Sequence, residues 1–260
     1  MDKAEATEEL LLREDRDGIA MLTLNRPLQF NALSADLLAQ LLSAIEAIGA
    51  DPSVRVVVIG GAGKAFCAGH DLREMRGNPD LEFQRSLFRL CSRVMRALVE
   101  LPQPVIARVH GIATAAGCQL VASSDLAIAA DDARFAVSGI NLGLFCGTPS
   151  VALARNVPRK KAFEMLVTGD FIDAPTALAQ GLVNRIVPAA ELDAAVEAMA
   201  RSIAAKSPAA IAGGKRLFYR QVEMGLEAAY QLASESMACS MMDEATLQGI
   251  DAFVNRRSAK

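Results

Sequence analysis

One pattern occurs twice in this chain and constrains its fold more than any other: an apolar run, a turn of small residues, then a helical pattern. The apolar residues 104–109 lead into the stretch 110–119, HGIATAAGCQ, which has little side-chain bulk between its two glycines. The apolar residues 54–59 lead in the same way towards the small-residue turn 68–71. Small residues between a strand and a helix let a ligand approach the backbone, where the first helical N–H groups are free to donate. Tight packing of a helix against a sheet would need the same small residues, so other segments must decide between a ligand site and a packing role.

The rest of the chain indicates an α/β protein. Apolar runs typical of strands lie at residues 10–13, 18–24, 54–59, 104–109, 126–129 and 133–136, and within 181–188. Helical spacing lies between these runs, most clearly after Ser34, which is a good N-cap. Residues 14–17 predict the turn of a hairpin, and residues 138–150 predict a glycine-containing loop.

The C-terminal part differs in pattern from the rest. From Leu192 onward only helical periodicity remains, over about seventy residues rich in Ala, Leu and Met. We therefore predict a core over residues 1–206 and a helical oligomerisation region over residues 207–260. An amphipathic helical region of this length needs something to cover its apolar face.

Several classes of function are excluded by composition and motif. The formal net charge of −3 is small and of the wrong sign for nucleic acid or an anionic membrane surface. No apolar run is long enough to span a bilayer, so no membrane insertion is expected. The glycine-rich residues 60–63 invite a nucleotide-binding interpretation, but the dinucleotide pattern needs glycine at Phe66 and the phosphate-loop pattern needs Ser or Thr at Ala65.

Cysteine and histidine usage argues against a metal site. The five cysteines are scattered without a C-x-x-C pair, and only His70 and His110 could supply imidazole, so no metal is expected. Free thiols fit a reducing compartment. Residues 1–9 are acidic and lack an apolar segment, so they predict neither a secretory signal nor an Arg-rich transit peptide. We therefore expect a cytoplasmic protein.

Five separated segments are together typical of one family. They are LNRP at 24–27, AFCAGHDL at 65–72, residues 110–125, LVTGD with AQGLV at 166–183, and AFVNRR at 252–257. In this order, and over nearly the whole chain, they resemble the crotonase (enoyl-CoA hydratase/isomerase) superfamily. Within it, residues 113–119 and 144–146 most resemble the enoyl-CoA hydratase domain-containing protein 3 subgroup. The resemblance implies an α/β fold: a crotonase-like spiral of strand-strand-helix units with an all-helical C-terminal trimerisation region.

The resemblance also implies a chemistry. Members of this family bind acyl-CoA thioesters and react through a thioester enolate held by two backbone N–H groups, whose worth rises as negative charge develops. By position these donors would be His70 and Ala116, the second at a helix start where the macrodipole adds to it. The alternative for His70 is an exposed loop histidine whose side chain has no role, and because the donor is its backbone, both interpretations can hold. CoA enters as part of the substrate, and no permanently bound cofactor is expected.

Contacts to CoA are implied at six positions. These are Arg26, Ala68, Asp71, Leu72, Phe253 and Arg256, with the last two supplied by the C-terminal helix of a neighbouring subunit. Arginine suits phosphate because its guanidinium presents a planar set of donors. For Arg26 and Arg256 the alternative is a solvated surface charge.

The sequence departs from the family where hydration needs acids. Hydration of an enoyl-CoA uses two carboxylates, which family hydratases place at the positions of Gln119 and Gly139. Gln119 can orient a water but cannot accept its proton, and Gly139 has no side chain. Cys146 could act as acid, base or nucleophile if its pKa were lowered, or simply pack. Arg73 and Glu74, at a helix start, are a further possible source of charge.

Two functions of different classes remain open. The first is an enzyme with weak or non-hydratase chemistry on an acyl-CoA, such as isomerisation, thioester hydrolysis or C–C cleavage. The second is a non-catalytic acyl-CoA-binding or regulatory protein. In either case the resemblance implies a homotrimer or a dimer of trimers. Asp125 is predicted to cap or brace the neighbouring strand, and Cys67 and Cys118 are predicted to pack.

Overall fold

The computed structural model describes residues 9–258, and side chains through residue 255. The strands in this range are β1 (Leu11–Arg16), β2 (Ile19–Leu24), β3 (Val56–Gly61), β4 (Val105–Val109), β5 (Ile112–Thr114), β6 (Leu126–Ala130), β7 (Arg134–Ala136), β8 (Ile172–Asp173) and β9 (Arg185–Val187). The helices are α1 (Ala35–Gly49), α2 (Leu72–Gly77), α3 (Leu81–Glu100), α4 (Ala116–Ser123), α5 (Gly147–Asn156), α6 (Arg159–Thr168), α7 (Ala174–Ala179), α8 (Leu192–Ala204), α9 (Pro208–Gln221), α10 (Leu226–Met241) and α11 (Glu244–Ser258).

The strands form two sheets. The larger has the order β1-β2-β3-β4-β6-β9, in which β1 and β2 are antiparallel and every later pair is parallel. The smaller has the order β5-β7-β8. Only His110 and Gly111 separate β4 from β5, so the chain passes from one sheet to the other within the small-residue stretch.

The larger sheet is buried on both faces, which explains its continuous apolar strands. In β3, Val57 and Ile59 point into the core cluster that also contains the apolar sides of α1, α3 and α4. Val56 and Val58 point to the opposite face and pack under α8, which contributes Leu192, Val196 and Ala200. Because side chains alternate along a strand, an unbroken Val/Ile run is what a strand covered on both sides requires.

Local chemistry fixes several element ends. The Ser34 side chain accepts the Leu37 N–H at 3.3 Å and starts α1, as predicted. The predicted hairpin exists, but its turn is shorter than residues 14–17, because β1 continues to Arg16. Asp17 and Gly18 alone make the turn, with φ of 52° and 77°. Two consecutive left-handed residues are the geometry that matches strand twist in a two-residue hairpin loop.

The predicted loop at 138–150 is only partly a loop. Residues Ser138–Leu142 form a 3-10 helix and α5 begins at Gly147. Strand β8 was not predicted, since two residues carry no periodicity. The boundary predicted near residue 206 falls in the turn between α8 and α9. No helix of the described residues is long and apolar enough to cross a membrane, and no three of their His, Cys, Asp or Glu residues are grouped to hold a metal ion.

Helix α9 is joined to the sheet by a buried ionic cluster. The Asp125 carboxylate accepts the Val105 N–H at 2.6 Å, the Lys215 ammonium at 2.7 Å and the Tyr219 hydroxyl at 2.8 Å. Asp125 therefore braces β4, as predicted, and also holds α9. Beyond α9 the apolar side chains are largely exposed. They include Leu226, Tyr230, Met237, Met241, Met242, Leu247, Ile250, Phe253 and Val254.

Candidate active site

The two small-residue turns meet at the centre of the molecule. We call residues 67–71 the first donor loop and residues 113–117 the second donor loop. Cys67 and Ala113 form a parallel β-bridge, in which Cys67 N–H donates to Ile112 O at 3.1 Å and Thr114 N–H donates to Cys67 O at 3.0 Å. A Cβ on Gly117 would overlap the carbonyl oxygen of Cys67. The small residues are thus required because two backbones lie in contact.

The second donor loop is also tied to the smaller sheet. Ala115 N–H donates to Ala136 O at 3.0 Å, and the Thr114 and Ser138 hydroxyls are hydrogen-bonded at 2.9 Å. Ala115 has φ 50° and ψ −118°, a conformation that suits glycine rather than alanine. Such strain persists only where the surroundings impose it, and it turns the chain from β5 directly into α4.

Unused backbone donors lie on both donor loops. Within the described residues, His70 N–H on the first loop donates no hydrogen bond, and neither does Ala116 N–H or Gly117 N–H on the second. Ala116 is the first residue of α4, where a free N–H is expected and the helix dipole is positive. The loops lie close here, since a Cβ on Gly69 would lie 3.3 Å from Ala116 N. A carbonyl oxygen at this point could receive both donors.

The first donor loop rests on residues 26–33. Ala68 N–H donates to Phe30 O at 2.9 Å, Leu33 N–H to Gly69 O at 2.8 Å, and Asp71 N–H to Leu33 O at 3.1 Å. The supporting loop is itself held by Asn31.

Asn31 is a structural residue that the sequence analysis missed. It is fully buried with φ 56°, and its Nδ2 donates to Ala62 O at 2.8 Å and Ala65 O at 2.7 Å, while its Oδ1 accepts from Arg26 N–H at 2.9 Å. A lone asparagine between Phe and Ala gives no periodic signal. Only the tolerance of asparagine for a left-handed backbone hinted at such a position.

The residues predicted to contact CoA fall into two groups. Arg26, Ala68, Asp71 and Leu72 lie together around the first donor loop, and Leu72 is exposed. The alternative interpretation of Arg26 as a solvated surface charge does not hold. Its side chain is only 17% exposed and donates to Ala32 O at 2.5 Å and to Asp71 at 2.8 Å. Phe253 is exposed on α11, away from this group in sequence. The side chain of Arg256 lies outside the described residues.

Asp71 links this ion pair to a helix. Its Oδ1 accepts the N–H groups of Arg73 at 3.0 Å and Glu74 at 3.2 Å, which caps α2. Burial by itself would raise the pKa of Asp71, but the hydrogen bond from Arg26 and those from the helix backbone outweigh burial and hold that pKa below its usual value. Asp71 is therefore a carboxylate that fixes the end of the first donor loop.

The two positions at which the family resemblance predicts hydratase acids hold Gln119 and Gly139. Gln119 is 4% exposed, and its Oε1 is buried without a hydrogen-bond partner. A Cβ on Gly139 would lie 2.7 Å from Cys146 Sγ and 2.7 Å from Leu144 O. The thiol therefore fills the space into which a longer residue at 139 would extend.

Neither Cys146 nor Glu74, the alternative sources of an acid or a base, lies in an environment that would make it reactive. Burial raises the pKa of the Cys146 thiol, although a hydrogen bond from Gly139 opposes this, and so the thiolate is disfavoured. The geometry favours the packing interpretation of Cys146. Glu74 accepts the Ala35 N–H at 3.0 Å and supports the start of α1. Cys67 and Cys118 are fully buried, as predicted for packing residues.

The His70 side chain is not that of an exposed loop histidine. Its ring lies edge-on to Phe88 of α3, with centroids 5.3 Å apart and an interplanar angle of 81°. Its Nε2 is buried and has no hydrogen-bond partner. Burial lowers the pKa of His70 to about 4, so the ring is neutral at pH 7.

Comparisons with known proteins show the family and the fold that this chain resembles. A family model described as Enoyl-CoA hydratase/isomerase matches residues 14–260. Enoyl-CoA hydratase domain-containing protein 3, mitochondrial, of Rattus norvegicus is 42% identical over 253 residues, which cover 97% of this chain and 84% of that protein. A solved structure of an enoyl-CoA hydratase from Mycobacterium smegmatis has a TM-score of 0.94 at 59% identity, covering 95% of this chain and 96% of that chain. The structure of human enoyl Coenzyme A hydratase domain-containing protein 3 has a TM-score of 0.93 at 42% identity, covering 95% and 98%.

One expectation from the sequence is contradicted by these relatives. The matched proteins of this name from Rattus norvegicus, Mus musculus, Xenopus laevis and Homo sapiens are all named as mitochondrial. The cytoplasmic location expected from the sequence is therefore wrong. That expectation rested on residues 1–9, of which 1–8 lie outside the described part of the chain, and on cysteine usage, which distinguishes reducing from oxidising compartments only.

Proposed function

The chain belongs to the enoyl-CoA hydratase/isomerase family, and from that premise we propose that it binds acyl-CoA thioesters and stabilises their enolate form. The thioester oxygen accepts from His70 N–H and Ala116 N–H. The single observation that supports this proposal is that His70 N–H and Ala116 N–H are unused donors on two loops, which are joined by the β-bridge between Cys67 and Ala113. Fixed donors aimed at an oxygen that gains charge favour the enolate over the keto form.

The binding of CoA is proposed at the first donor loop. The backbone of Ala68 meets the adenine, with Asp71 and Leu72 beside it, and Arg26 lies near the phosphates or ribose. Phe253 and Arg256 complete the site from a neighbouring subunit. No permanently bound cofactor is required, because CoA arrives as part of the substrate.

The proposal is tested with acetoacetyl-CoA, whose enolate absorbs in the near ultraviolet. Binding to the wild-type protein should increase the enolate band at fixed pH. The variant Ala116→Pro removes one donor at the first position of α4, where proline is tolerated. Loss of one such donor typically costs about 10²–10³-fold in stabilisation of the oxyanion. An unchanged enolate band in a folded Ala116→Pro protein, or failure of the wild type to bind thioesters by calorimetry, would refute the proposal.

Efficient hydration is not proposed. With an amide at Gln119 and no side chain at Gly139, two acid–base groups are missing, and each typically contributes about 10²-fold or more. Crotonyl-CoA hydration should therefore fall far below the roughly 10 per second of an ordinary enzyme. Turnover at that level would contradict the assignment of both positions.

The absent acids also support a second candidate, a non-catalytic acyl-CoA-binding or regulatory protein. A panel of enoyl-, β-hydroxyacyl- and malonyl-type thioesters separates the two candidates. Product from any member supports an enzyme of isomerase, hydrolase or lyase type. Tight binding with no product from any of them supports the binding protein.

A trimer, or a dimer of trimers, is proposed from the C-terminal helices. Helices α10 and α11 expose many large apolar side chains, among them Leu226, Met237 and Met241. A monomeric protein rarely exposes so large an apolar surface. Light scattering at micromolar concentration should give three or six chains, and a monomer would contradict the proposal.

A further inference from the structure

The direction of the Ala116 N–H depends on one strained residue. Ala115 immediately precedes Ala116 and has φ 50° and ψ −118°, a conformation that glycine adopts readily and alanine does not. Because the peptide group is planar, the ψ angle of Ala115 fixes the plane in which the Ala116 N–H lies. Relaxation of Ala115 towards an unstrained conformation would therefore turn this N–H away from its present direction.

Main-chain hydrogen bonds restrain Ala115 on both sides. On its N-terminal side, Thr114 N–H donates to Cys67 O at 3.0 Å, and Ala115 N–H donates to Ala136 O at 3.0 Å. On its C-terminal side, Gln119 N–H donates to Ala115 O at 3.0 Å within α4. A glycine would form the same bonds without strain, so an alanine needs firmer restraint than a glycine would.

One side-chain hydrogen bond adds to these restraints. Thr114 is the only residue of the second donor loop with a polar side chain. Its hydroxyl is hydrogen-bonded to that of Ser138 at 2.9 Å, and because Thr114 is only 8% exposed, water competes little for this bond. Ser138 begins the 3-10 helix, two residues after the Ala136 carbonyl that holds Ala115. The short segment 136–138 therefore binds both residues that precede Ala116.

We propose that Thr114 and Ser138 are positioning residues, whose paired hydroxyls hold Ala115 in its strained conformation and keep the Ala116 N–H directed at the thioester oxygen. This inference rests on the proposed function. The two side chains act as one unit through their shared hydrogen bond. Neither hydroxyl touches the substrate, and no covalent bond is made or broken in this role.

The test is a pH titration of the enolate band of acetoacetyl-CoA bound to saturating protein. Stabilisation of the enolate lowers the pH at which the bound ligand ionises. Thr114→Val removes the hydroxyl from a β-branched side chain and should raise this midpoint by about one pH unit, which is a factor of about ten. That loss is part of the roughly 10²–10³-fold that removal of a whole donor costs. Calorimetric affinity for CoA, which has no thioester oxygen, should stay within about threefold of wild type.

Further variants separate positioning from general destabilisation. Thr114→Ser keeps the hydroxyl and should restore most of the midpoint. Ser138→Ala should shift the midpoint as Thr114→Val does, and the double variant should be no worse than either, because each change removes the same bond. The matched control is Ser124→Ala at the far end of α4. The Ser124 hydroxyl is also buried and donates to Leu120 O at 3.0 Å, and its loss should leave the midpoint unchanged.

The strain at Ala115 gives a sharper comparison. In an Ala115→Gly protein the main-chain bonds alone should hold the conformation, because glycine adopts it without strain. In that background Thr114→Val should shift the midpoint by less than about 0.3 pH unit, against about one unit in the wild-type background. The hydroxyl pair thus matters because residue 115 is an alanine.

The outcomes are separable from those of the proposed function. Where the wild type shows the enolate band, an unchanged midpoint in folded Thr114→Val and Ser138→Ala overturns the role of the hydroxyl pair and leaves the proposed function intact. Additive shifts in the double variant, or an equal shift of Thr114→Val in the Ala115→Gly background, also overturn it. A wild type without the enolate band overturns both proposals. If Thr114→Val does not fold, Ser138→Ala makes the same measurement from the half-buried side of the pair.

Discussion

Removing the Lys215 ammonium should destabilise the protein more than any surface change. All three ammonium protons are used: they bond Asp125 at 2.7 Å, Leu98 O at 2.8 Å and Gln103 O at 3.0 Å. The side chains of Lys215 and Asp125 are only 7% and 13% exposed, so solvent screens the pair little. Lys215→Met leaves Asp125 charged, buried and held by Tyr219 but by no cation. Breaking a buried pair in this way typically costs about 3–5 kcal/mol.

Urea unfolding at pH 7 and fixed protein concentration measures this cost. The matched control is Lys161→Met, which makes the same substitution in an exposed ion pair with Glu164, where side chains are 24% and 57% exposed. That change should cost no more than about 1 kcal/mol. A loss below about 1 kcal/mol in Lys215→Met, with an unchanged denaturant slope, would refute the reasoning.

The pH dependence gives an independent check on Lys215→Met. Burial already raises the pKa of Asp125 above its usual value, although Lys215, the Val105 N–H and Tyr219 oppose burial. Without Lys215 that pKa rises further. A carboxyl with a raised folded-state pKa binds its proton more tightly when folded, so acidification favours the folded state. The stability gap between variant and wild type should therefore narrow from pH 7 towards pH 5.

Three smaller predictions follow from backbone strain, close packing and thiol burial. Ala115→Gly should raise the free energy of unfolding, measured in urea, by about 1 kcal/mol. Relief of about 1–3 kcal/mol of backbone strain in the folded state exceeds the 0.4–1 kcal/mol by which the more flexible glycine stabilises the unfolded chain. A lower free energy of unfolding would contradict the strained φ of 50°. Gly139→Ala should cost about 1–3 kcal/mol through overlap with Cys146 Sγ and Leu144 O, and adding Cys146→Ala should recover part of that cost, since the overlap with Leu144 O remains; strictly additive effects in the double-mutant cycle would exclude the contact with Cys146. In native protein no more than one thiol per chain, that of Cys239, should react rapidly with a disulfide reagent, since the other four cysteines are buried; two or more fast thiols would contradict their burial.

Much of the fold could be predicted because its signals are local. The Val/Ile run of β3 and the cap at Ser34 each act over a few residues, and the five family segments are readable in order. The crotonase-type fold and the subgroup resemblance drawn from those segments are confirmed. A close approach to the backbone at the two donor loops could also be predicted, since only small residues leave room for such a contact.

The parts that could not be predicted depend on contacts between distant residues. Lys215 and Asp125 are 90 residues apart, and nothing near either one indicates the other. The contact between Gly139 and Cys146 depends on the 3-10 helix that contains Gly139. The sequence left an exposed loop histidine as one interpretation of His70, whereas Phe88 of α3 packs against its ring.

Because both donors of the proposed oxygen-binding site are main-chain N–H groups, nearly any mutation leaves them in place. At position 70 every residue except proline supplies the same donor, so selection is free to vary the side chain without dismantling the site. Reactive side chains such as glutamate, by contrast, are lost in one codon change. Descendants of one ancestor could thus lose or relocate their acidic residues and still inherit the proposed pair of backbone donors. Such lineages are traced more safely by small residues like Gly69 and Gly117, which hold the two backbones together, than by the residues that perform the chemistry.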